Sequence, residues 1–337
     1  MKKMVNDPGK LPVSIFYIMG NEAAERFSFY GMKAILTVYL VTNFFNPAND
    51  PAQQTIANAN ANEITHFFNT LVYFLPLIGG VIADWFWGKY KTIVYLSVVY
   101  CMGNFCLAYF HNNLSFFIAG LYLIAAGAGG IKPCVSANVG DQFDQTNQAL
   151  ISKAYSWFYF SINVGSFISI FLTPVLLNNY GPFTAFAVPG VLMVIATVVF
   201  VIGRKKFRVL PPTGMKKENF FSINLYALTH LSQRPGGKSF LDIAKEKYAA
   251  EAVEGVKEVW RILGVFSVIP IFWALNDQNS SEWVLQATNM DLHFLGHEWL
   301  AQQIQVVNPI LVLVYIPLFK LLNFSAVRKI RICSYSI

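Results

Sequence analysis

The residues Asn21-Glu-Ala-Ala-Glu-Arg-Phe-Ser-Phe-Tyr-Gly-Met-Lys33 carry four charged side chains inside an apolar run that covers residues 14–44. A charge at the centre of a bilayer costs from about 2.5 to more than 10 kcal/mol, so these side chains must face a protein interior or a water-filled cavity. At about 100° per residue, one narrow helical stripe contains Glu22, Arg26, Phe29 and Lys33, with Glu25 and Tyr30 beside it. The stretch predicts a spanning helix with one ionisable face, whose acids change their pairing with nearby cations on binding a proton. A static ion-pair zipper that only specifies helix packing is the alternative.

The rest of the composition is typical of a protein whose solvent is lipid. Hydrophobic residues make up 55% of the 337 residues and charged residues only 13%, whereas roughly a quarter of a soluble domain is charged. A helical span needs about 20 largely apolar residues, and an open sheet would leave backbone groups unpaired in hydrocarbon. We therefore predict an all-α polytopic membrane protein. Its eight predicted spans cover residues 14–44, 64–85, 92–110, 114–139, 154–177, 183–202, 259–284 and 304–322.

Lysine and arginine are distributed unequally between the connections. They are absent from 47–62, 111–113, 178–182 and 286–298, and they are present at the N-terminus, at Lys89 and Lys91, at 204–208 and at 328–331. Because basic connections stay on the cytoplasmic side, the N-terminus is predicted to be cytoplasmic in a multi-pass protein of the cell membrane. The net charge of +7 is thus attributed to topology, and no nucleic-acid partner is expected.

The connection 204–257 is the one long polar segment between spans and divides the chain. We predict an N-terminal six-helix bundle at 1–203, a cytoplasmic linker at 204–257, and the start of a second bundle at 258–337, an arrangement found in two-bundle secondary transporters. The short Ala/Asn run at 57–62 is predicted to be a solvated extracellular loop.

Further polar residues lie within or beside predicted spans. Lys132 follows Gly127, Gly129 and Gly130 and precedes Pro133, so small residues allow close helix approach around a second intramembrane cation. These glycines do not form a phosphate loop, because no strand precedes them. His66 titrates near neutral pH if unperturbed, although a lone histidine is more often a packing residue.

Neither an enzyme nor a metal site is expected. His293, His297 and Glu298 lie in a predicted loop without a further helical ligand, and the four cysteines have no CxxC spacing. We find no nucleophile and base at a recognised spacing. No cofactor is predicted apart from the proton as coupling ion.

Several motifs resemble those of the proton-dependent oligopeptide transporter family within the major facilitator superfamily, from about Asn21 to Ile330. Residues 22–27 (EAAERF) with Tyr30 and Gly31 are similar to its ExxERF signature, and residues 158–165 (FYFSINVG) are similar to its FYxxINxG element. Residues 272–278 (FWALNDQ) resemble its span-seven element. The facilitator loop between spans two and three is matched by Gly80, Asp84, Gly88, Lys89 and Lys91.

The resemblance implies roles for individual residues. It implies proton coupling for Glu22, Glu25, Arg26 and Lys132, and also for His66, which is similar to a histidine of animal-type members. It implies a peptide pocket formed by Tyr30, Lys33, Tyr73, Tyr159, Asn163, Trp273 and Asn308. The fold it implies is the major facilitator fold.

This chain departs from the family pattern in two ways. Lys33 stands where arginine is usual, which keeps a charge but loses the bidentate fork, and Phe29 stands where tyrosine is common, which removes a hydroxyl. Family members have twelve or more spans, so the second bundle is expected to be incomplete here, without the acid that holds the peptide's amino group.

The predicted function is symport of protons with di- and tripeptides by alternating access, in a protein expected to be a monomer. Two alternatives remain from the sequence. One is a non-transporting membrane protein or sensor that keeps the first bundle. The other is a related facilitator for nitrate or another small anion, with Lys33 and His66 as anion contacts.

Overall fold

The computed structural model describes residues 10–46, 50–215, 218–231, 239–294 and 296–321. The predicted basic residues at 328–331, the N-terminal lysines and Cys333 lie outside these ranges. The described chain is almost entirely helical, with one two-stranded hairpin. Its first five helices are α1 (Val13–Tyr39), α2 (Pro51–Ile82), α3 (Lys89–Tyr109), α4 (Leu114–Asp141) and α5 (Ile151–Ile202), and single π-helical turns extend α1 over Leu40–Phe44 and α2 over Ala83–Trp87.

The helix α5 contains both the fifth and the sixth predicted span. Its 52 residues would measure about 78 Å if straight, far more than a bilayer core of about 30 Å. Gly181 interrupts it with φ 80° and ψ 176°, backbone angles that no helix contains. The segment before Gly181 runs parallel to α1, with Gly31 against Thr173. The segment after it runs antiparallel, with Phe186 against Tyr39, so the two form a helical hairpin.

Small residues set the distances between the helices of this bundle. A Cβ on Gly79 of α2 would lie 2.5 Å from the Cα of Gly130 of α4. A Cβ on Gly103 of α3 would lie 2.8 Å from the carbonyl oxygen of Gly120, also of α4. Backbones in lipid approach this closely only where side chains are absent or small. The glycines of α4 therefore permit the contacts that hold Lys132 in the bundle interior.

The prediction of a loop at residues 57–62 is wrong, because these residues are helical. These residues belong to α2, which starts at Pro51 after an N-cap at Asp50, whose carboxylate accepts a hydrogen bond from the Ala52 amide at 2.9 Å. Ala57 and Ala61 are buried in the bundle. An N-cap aspartate followed by proline is a strong helix start, and it outweighs the low helix propensity of the asparagines.

The linker folds around a small core of its own. Its elements are α6 (Phe220–Thr229), a 3₁₀ segment (Phe240–Glu246) and the first part of α7 (Ala250–Phe266). Ile223 and Ala227 of α6 contact Leu241 and Ile243 of the 3₁₀ segment and Val253 of α7 in one buried cluster. The limits 1–203, 204–257 and 258–337 remain a prediction for the domain organisation.

The seventh predicted span is a broken helix, and the eighth is a 3₁₀ segment that continues directly into a helix. α7 and α8 (Ile269–Asn276) meet at a bend of 42°. A 3₁₀ turn (Asp277–Ser280) and α9 (Glu282–Ala287) follow. The hairpin β1 (His293–Phe294) and β2 (His297–Glu298) leads to a 3₁₀ segment (Ala301–Val306) and α10 (Val307–Leu321).

Length and apolarity alone mark five described helices as able to cross a membrane, or six if the bent segment from α7 to α9 counts as one span. α1 is not among them because of its charged side chains, and α5 counts once although it folds back at Gly181. Within the described residues each of the eight predicted spans is mainly helical, the seventh as the bent series from α7 to α9, in agreement with the predicted all-α, multi-pass fold.

Candidate functional site

The charges of α1 lie in the bundle interior, paired with one another. Glu22 and Glu25 are 2% and 0% exposed, and Arg26 is 8% exposed. The Arg26 Nε donates a hydrogen bond to Glu22 Oε1 at 2.7 Å and lies 3.0 Å from Glu25 Oε2. One guanidinium thus pairs with two carboxylates in a setting where an unpaired charge costs several kcal/mol.

The pairing leaves hydrogen-bonding capacity unused. Among the described residues, Glu22 Oε2 and both oxygens of Glu25 have no hydrogen-bond donor. Buried polar atoms without partners are costly, and each is a place where a proton or a water can bind. The part in proton coupling predicted for Glu22, Glu25 and Arg26 remains a prediction.

Lys132 brings a second cation to the same region. Its Nζ lies 4.1 Å from the ring centroid of Phe29, on the neighbouring helix α1. Phe29 is 4% exposed and stands edge-on to Tyr30, with ring centroids 5.3 Å apart. A cation over an aromatic face is attracted by the ring quadrupole. The phenylalanine that departs from the family pattern is thus the observed neighbour of the Lys132 ammonium.

Lys33 pairs with an acid that the sequence analysis did not select. Its Nζ lies 2.9 Å from Asp277 Oδ1, at the start of the 3₁₀ turn after α8. Tyr73 of α2 donates a hydrogen bond to the same oxygen at 3.4 Å. An acid inside the apolar segment 259–284 was a signal that could have identified Asp277, because intramembrane acids are rare and usually paired.

Arg26, Lys33 and Lys132 all line one cavity of about 620 Å³. This volume is within the usual range for small-molecule sites, about 300–1,000 Å³. Every residue predicted for the peptide pocket also lines it, which places α1, α2, α5, α8 and α10 around one space. Those residues are Tyr30, Lys33, Tyr73, Tyr159, Asn163, Trp273 and Asn308.

The cavity wall combines aromatic faces with amide and hydroxyl groups. The rings of Tyr73 and Trp273 are 5.9 Å apart across α2 and α8. Asn163 donates to the Tyr159 carbonyl oxygen at 2.8 Å, which fixes one side of its amide. The lining also includes Asn276, Asn279 and Gln305, three amides that the sequence analysis did not select. Such a wall can pair peptide groups and pack against apolar side chains.

His66 does not line the cavity. It is half-buried on α2, two turns from Tyr73 along the same face, or about 10 Å. Among the described residues it is not part of the cavity wall. Its predicted part in proton coupling remains a prediction.

The loop motif between α2 and α3 lies at the far end of the bundle. Gly88 takes φ 77°, a left-handed conformation that favours glycine, and so allows the tight turn into α3. Lys89 Nζ lies 2.8 Å from Asp141 Oδ2, at the end of α4. The Asp84 carbonyl oxygen accepts hydrogen bonds from the Gly214 amide and the Thr213 hydroxyl, both at 3.2 Å. A Cβ on Gly80 would meet nothing within 4 Å.

The predicted absence of a metal site stays a prediction. His293 Nδ1 lies 3.2 Å from Asp291 Oδ1, and its Nε2 lies 3.9 Å from Glu298 Oε2, in the exposed hairpin. Over residues 10–46, 50–215, 218–231, 239–294 and 296–321, no group of three or more His, Cys, Asp or Glu side chains is arranged as metal ligands.

Comparison with known proteins identifies relatives of this chain by sequence. The family model PTR2, described as the POT family, matches residues 90–335. Solute carrier family 15 member 2 of Rattus norvegicus is 41% identical over 344 residues, which cover 95% of this chain and 45% of that protein. Peptide transporter family 1 of Drosophila melanogaster is 39% identical over 340 residues, which cover 96% of this chain and 44% of that protein. The chain spans less than half the length of these relatives.

Solved structures agree. The crystal structure of the POT family transporter PepTSo matches with a TM-score of 0.83 and 37% identity, covering 96% of this chain and 72% of that one. A second proton dependent oligopeptide (POT) family transporter matches with a TM-score of 0.72 and 40% identity, covering 93% of this chain and 72% of that one. Fold, cavity and sequence lead to one conclusion: the chain belongs to the POT family of transporters.

Proposed function

We propose that the protein carries di- and tripeptides across the cell membrane together with protons, by alternating access. The observation that carries this proposal is the single cavity that holds Arg26, Lys132 and the Lys33–Asp277 pair among aromatic and amide side chains. The names of the relatives, which include peptide transporters, support the same substrate class.

Peptide recognition follows from the chemistry of the wall. A di- or tripeptide offers a cationic amino group, an anionic carboxylate, amide groups and variable side chains. Lys132 suits the carboxylate, and the tyrosines, with Trp273, accept apolar side chains. Lys33 and Asp277 can meet a peptide's charged ends only when their own ion pair opens. Because the charged and amide groups of the wall suit features common to all short peptides, we expect the protein to accept peptides with many different side chains.

Proton coupling follows from the buried acids. With Glu22 and Glu25 both charged beside Arg26, the cluster carries one excess negative charge, which attracts the Lys132 ammonium. Binding a proton at Glu25 removes that charge and releases Lys132 to meet an incoming carboxylate. Proton binding and peptide binding thereby favour each other, which is the reciprocity that symport requires.

The membrane potential can drive this cycle. Moving one charge through about 100 mV releases roughly 2.3 kcal/mol. Since about 1.4 kcal/mol corresponds to a tenfold ratio, one proton could concentrate a neutral peptide about fiftyfold. A pH gradient would add to this.

Contacts between the first bundle and the later helices support an inward-facing state. Thr37 donates to the Ser280 carbonyl oxygen at 2.9 Å, and Asn62 donates to Glu282. Together with Lys33–Asp277, these contacts lie towards the Tyr39 end of α1, the side that the charge pattern predicts to be extracellular. Access to the cavity would then come from the cytoplasm, and rocking of the bundles would break these pairs.

The small-anion alternative is weakened by the geometry. It relied on Lys33 and His66 as anion contacts. The Lys33 charge is already balanced by Asp277 at 2.9 Å, and His66 is not part of the cavity wall.

Uptake into proteoliposomes tests the proposal. We expect labelled dialanine to reach a higher concentration inside the vesicles than outside when the external solution is acidic. Unlabelled di- and tripeptides should reduce this uptake, and nitrate should not. Liposomes without protein are the control. Accumulation of nitrate without competition by dipeptides would favour the anion facilitator, and no uptake at all would favour the non-transporting alternative.

A further inference from the structure

The linker helix α6 has apolar side chains on two opposite faces. On one face, Ile223 and Ala227 are buried in the linker core. On the other, Phe221, Leu225 and Leu228 are 60%, 64% and 56% exposed. Their spacing of four and three residues aligns them in one stripe, hereafter the outer stripe. A helix that is apolar on both faces needs a non-aqueous neighbour on each.

Two aromatic contacts fix where α6 lies relative to the spans. Phe221 stands edge-on to Trp85, at the end of span two, with ring centroids 6.2 Å apart. Trp260, where α7 becomes apolar, donates its indole N–H to Asn224 Oδ1 at 2.8 Å. Tryptophans at span ends usually lie at the headgroup level of the bilayer. α6 is thereby held at that level between the ends of two spans.

The same side of the molecule is basic. Lys247 lies next to α6, with its Nζ 5.0 Å from the Tyr226 ring centroid. Arg204 lies 5.8 Å from the ring of Tyr90 at the start of α3. Exposed cations on this side are Lys91, Arg204, Lys205, Lys206, Arg208 and Lys247, whereas Lys245 is paired with Asp242 and Glu254. Anionic headgroups of the cytoplasmic leaflet attract such clusters.

We propose that α6 is an interfacial helix that inserts its outer stripe into the cytoplasmic leaflet of the membrane. The apolar stripe supplies the area that enters the acyl boundary, and the surrounding lysines and arginines contact anionic headgroups. The linker between the two bundles is then anchored to lipid on one face and to its own core on the other. This inference does not depend on which substrate the protein carries.

A lipid-quenching experiment tests this placement. A cysteine is introduced as Leu225→Cys, and separately as Leu228→Cys, in the full chain with its four native cysteines replaced by alanine. Each is labelled with an environment-sensitive fluorophore and reconstituted in vesicles of phosphatidylcholine and phosphatidylglycerol. Lipids with a spin label near the headgroup serve as quencher. Thermal unfolding before reconstitution verifies that each variant is folded.

The matched control is Glu251→Cys in the first turn of α7. Glu251 is exposed and precedes Trp260 by nine residues, which places it about 13 Å further from the membrane along the helix. We expect blue-shifted emission and several times stronger quenching at positions 225 and 228 than at 251.

Two results would overturn the proposal. Water-like emission at positions 225 and 228, equal to that at 251, would show the stripe to be solvated. Blue-shifted emission without quenching by the lipid label would show it to be covered by protein, either another segment of the chain or a second copy.

Discussion

At the scale of single residues, buried ion pairs organise the cavity: Arg26 pairs with Glu22 and Glu25, and Lys33 pairs with Asp277 across to the later helices. The ionisable stripe of α1 could be predicted because its signal is local. The positions of Glu22, Arg26 and Lys33 in one helix fix which face they share, and burial follows from the cost of charge in lipid. The partner of Lys33 could not be predicted in the same way. Asp277 is 244 residues away along the chain, and no local pattern specifies such a pairing.

Phe29 is predicted to position Lys132. Phe29→Leu removes the ring that attracts the ammonium, a loss of about 1 kcal/mol or roughly fivefold in affinity. Phe29→Tyr keeps a ring face and is the matched control. Affinity for a dipeptide is measured by isothermal titration of both variants in detergent. Wild-type affinity in Phe29→Leu would contradict this role, as would a larger loss in Phe29→Tyr.

The Lys33–Asp277 pair is predicted to behave as a coupled unit. Lys33→Met or Asp277→Asn alone leaves a partly buried charge unpaired, a cost of up to about 3–5 kcal/mol, whereas the double variant leaves none. Thermal unfolding in detergent should therefore show a smaller loss of Tm in the double variant than in either single variant. If the losses of the single variants simply add up in the double variant, the two side chains do not stabilise each other.

At the scale of elements, local chemistry fixed most helix positions but not all of their limits. The start of α2 at Pro51 was missed, although Asp50 and Pro51 form a recognisable helix start. The break at Gly181 could be placed because a polar connection surrounds it. The faces of α6 could not be assigned from sequence, since both are apolar.

Close approach of α2 and α4 depends on Gly79. Gly79→Ala sets a Cβ against the backbone of Gly130, and overpacking of this kind costs about 1–3 kcal/mol. Gly80→Ala is the matched control, because a Cβ there meets nothing within 4 Å and alanine has the better helix propensity. Thermal unfolding should show a lower Tm for the first variant only. Equal Tm values would mean that α2 and α4 are not held at this distance.

The ion cluster of the linker is predicted to stabilise it above acidic pH. Asp242 lies 2.7 Å from Lys257 and 2.9 Å from Lys245. Hydrogen bonds from Lys257 and Lys245 hold the pKa of Asp242 below its usual range, and those from Lys245 and Lys257 lower the pKa of Glu254. Because both acid pKa values are depressed, the stabilisation is present above the ordinary pKa of about 4 and is lost as the pH falls below it.

Limited proteolysis measures this effect. Asp242→Asn should speed cleavage of the linker by trypsin at pH 7.5, whereas Glu258→Gln, which removes only an exposed pair with Arg261, should not. With pepsin in place of trypsin, the difference in cleavage rate between the wild type and Asp242→Asn should narrow as the pH is lowered below about 4, because protonation removes the stabilisation gradually between the unfolded-state pKa and the depressed folded-state pKa of Asp242. Equal cleavage at pH 7.5 would show that the cluster adds no stability.

At the scale of the whole molecule, the all-α fold was predictable because most spans carry their own hydropathy signal, while α1 was identified by its stripe of charged side chains. The seven residues predicted for the pocket all line the cavity, but several other lining residues were not predicted. Residues from α1, α2, α4, α5, α8 and α10 meet there, and Asn279 and Gln305 lie in 3₁₀ segments at the breaks between α8 and α10. Such breaks depend on packing against the first bundle, which no local pattern encodes.

The proposed coupling of protons to peptide through the buried charges of α1 and α4 is tested by comparing two modes of transport. Glu25→Gln and Lys132→Ala are reconstituted beside the wild type, and the uptake of labelled dialanine is measured under an imposed pH gradient and, separately, in exchange for internal dialanine without a gradient. We predict that both variants lose gradient-driven accumulation, while Glu25→Gln, which resembles the protonated acid, retains exchange. Undiminished gradient-driven accumulation in both variants would contradict the role assigned to these charges.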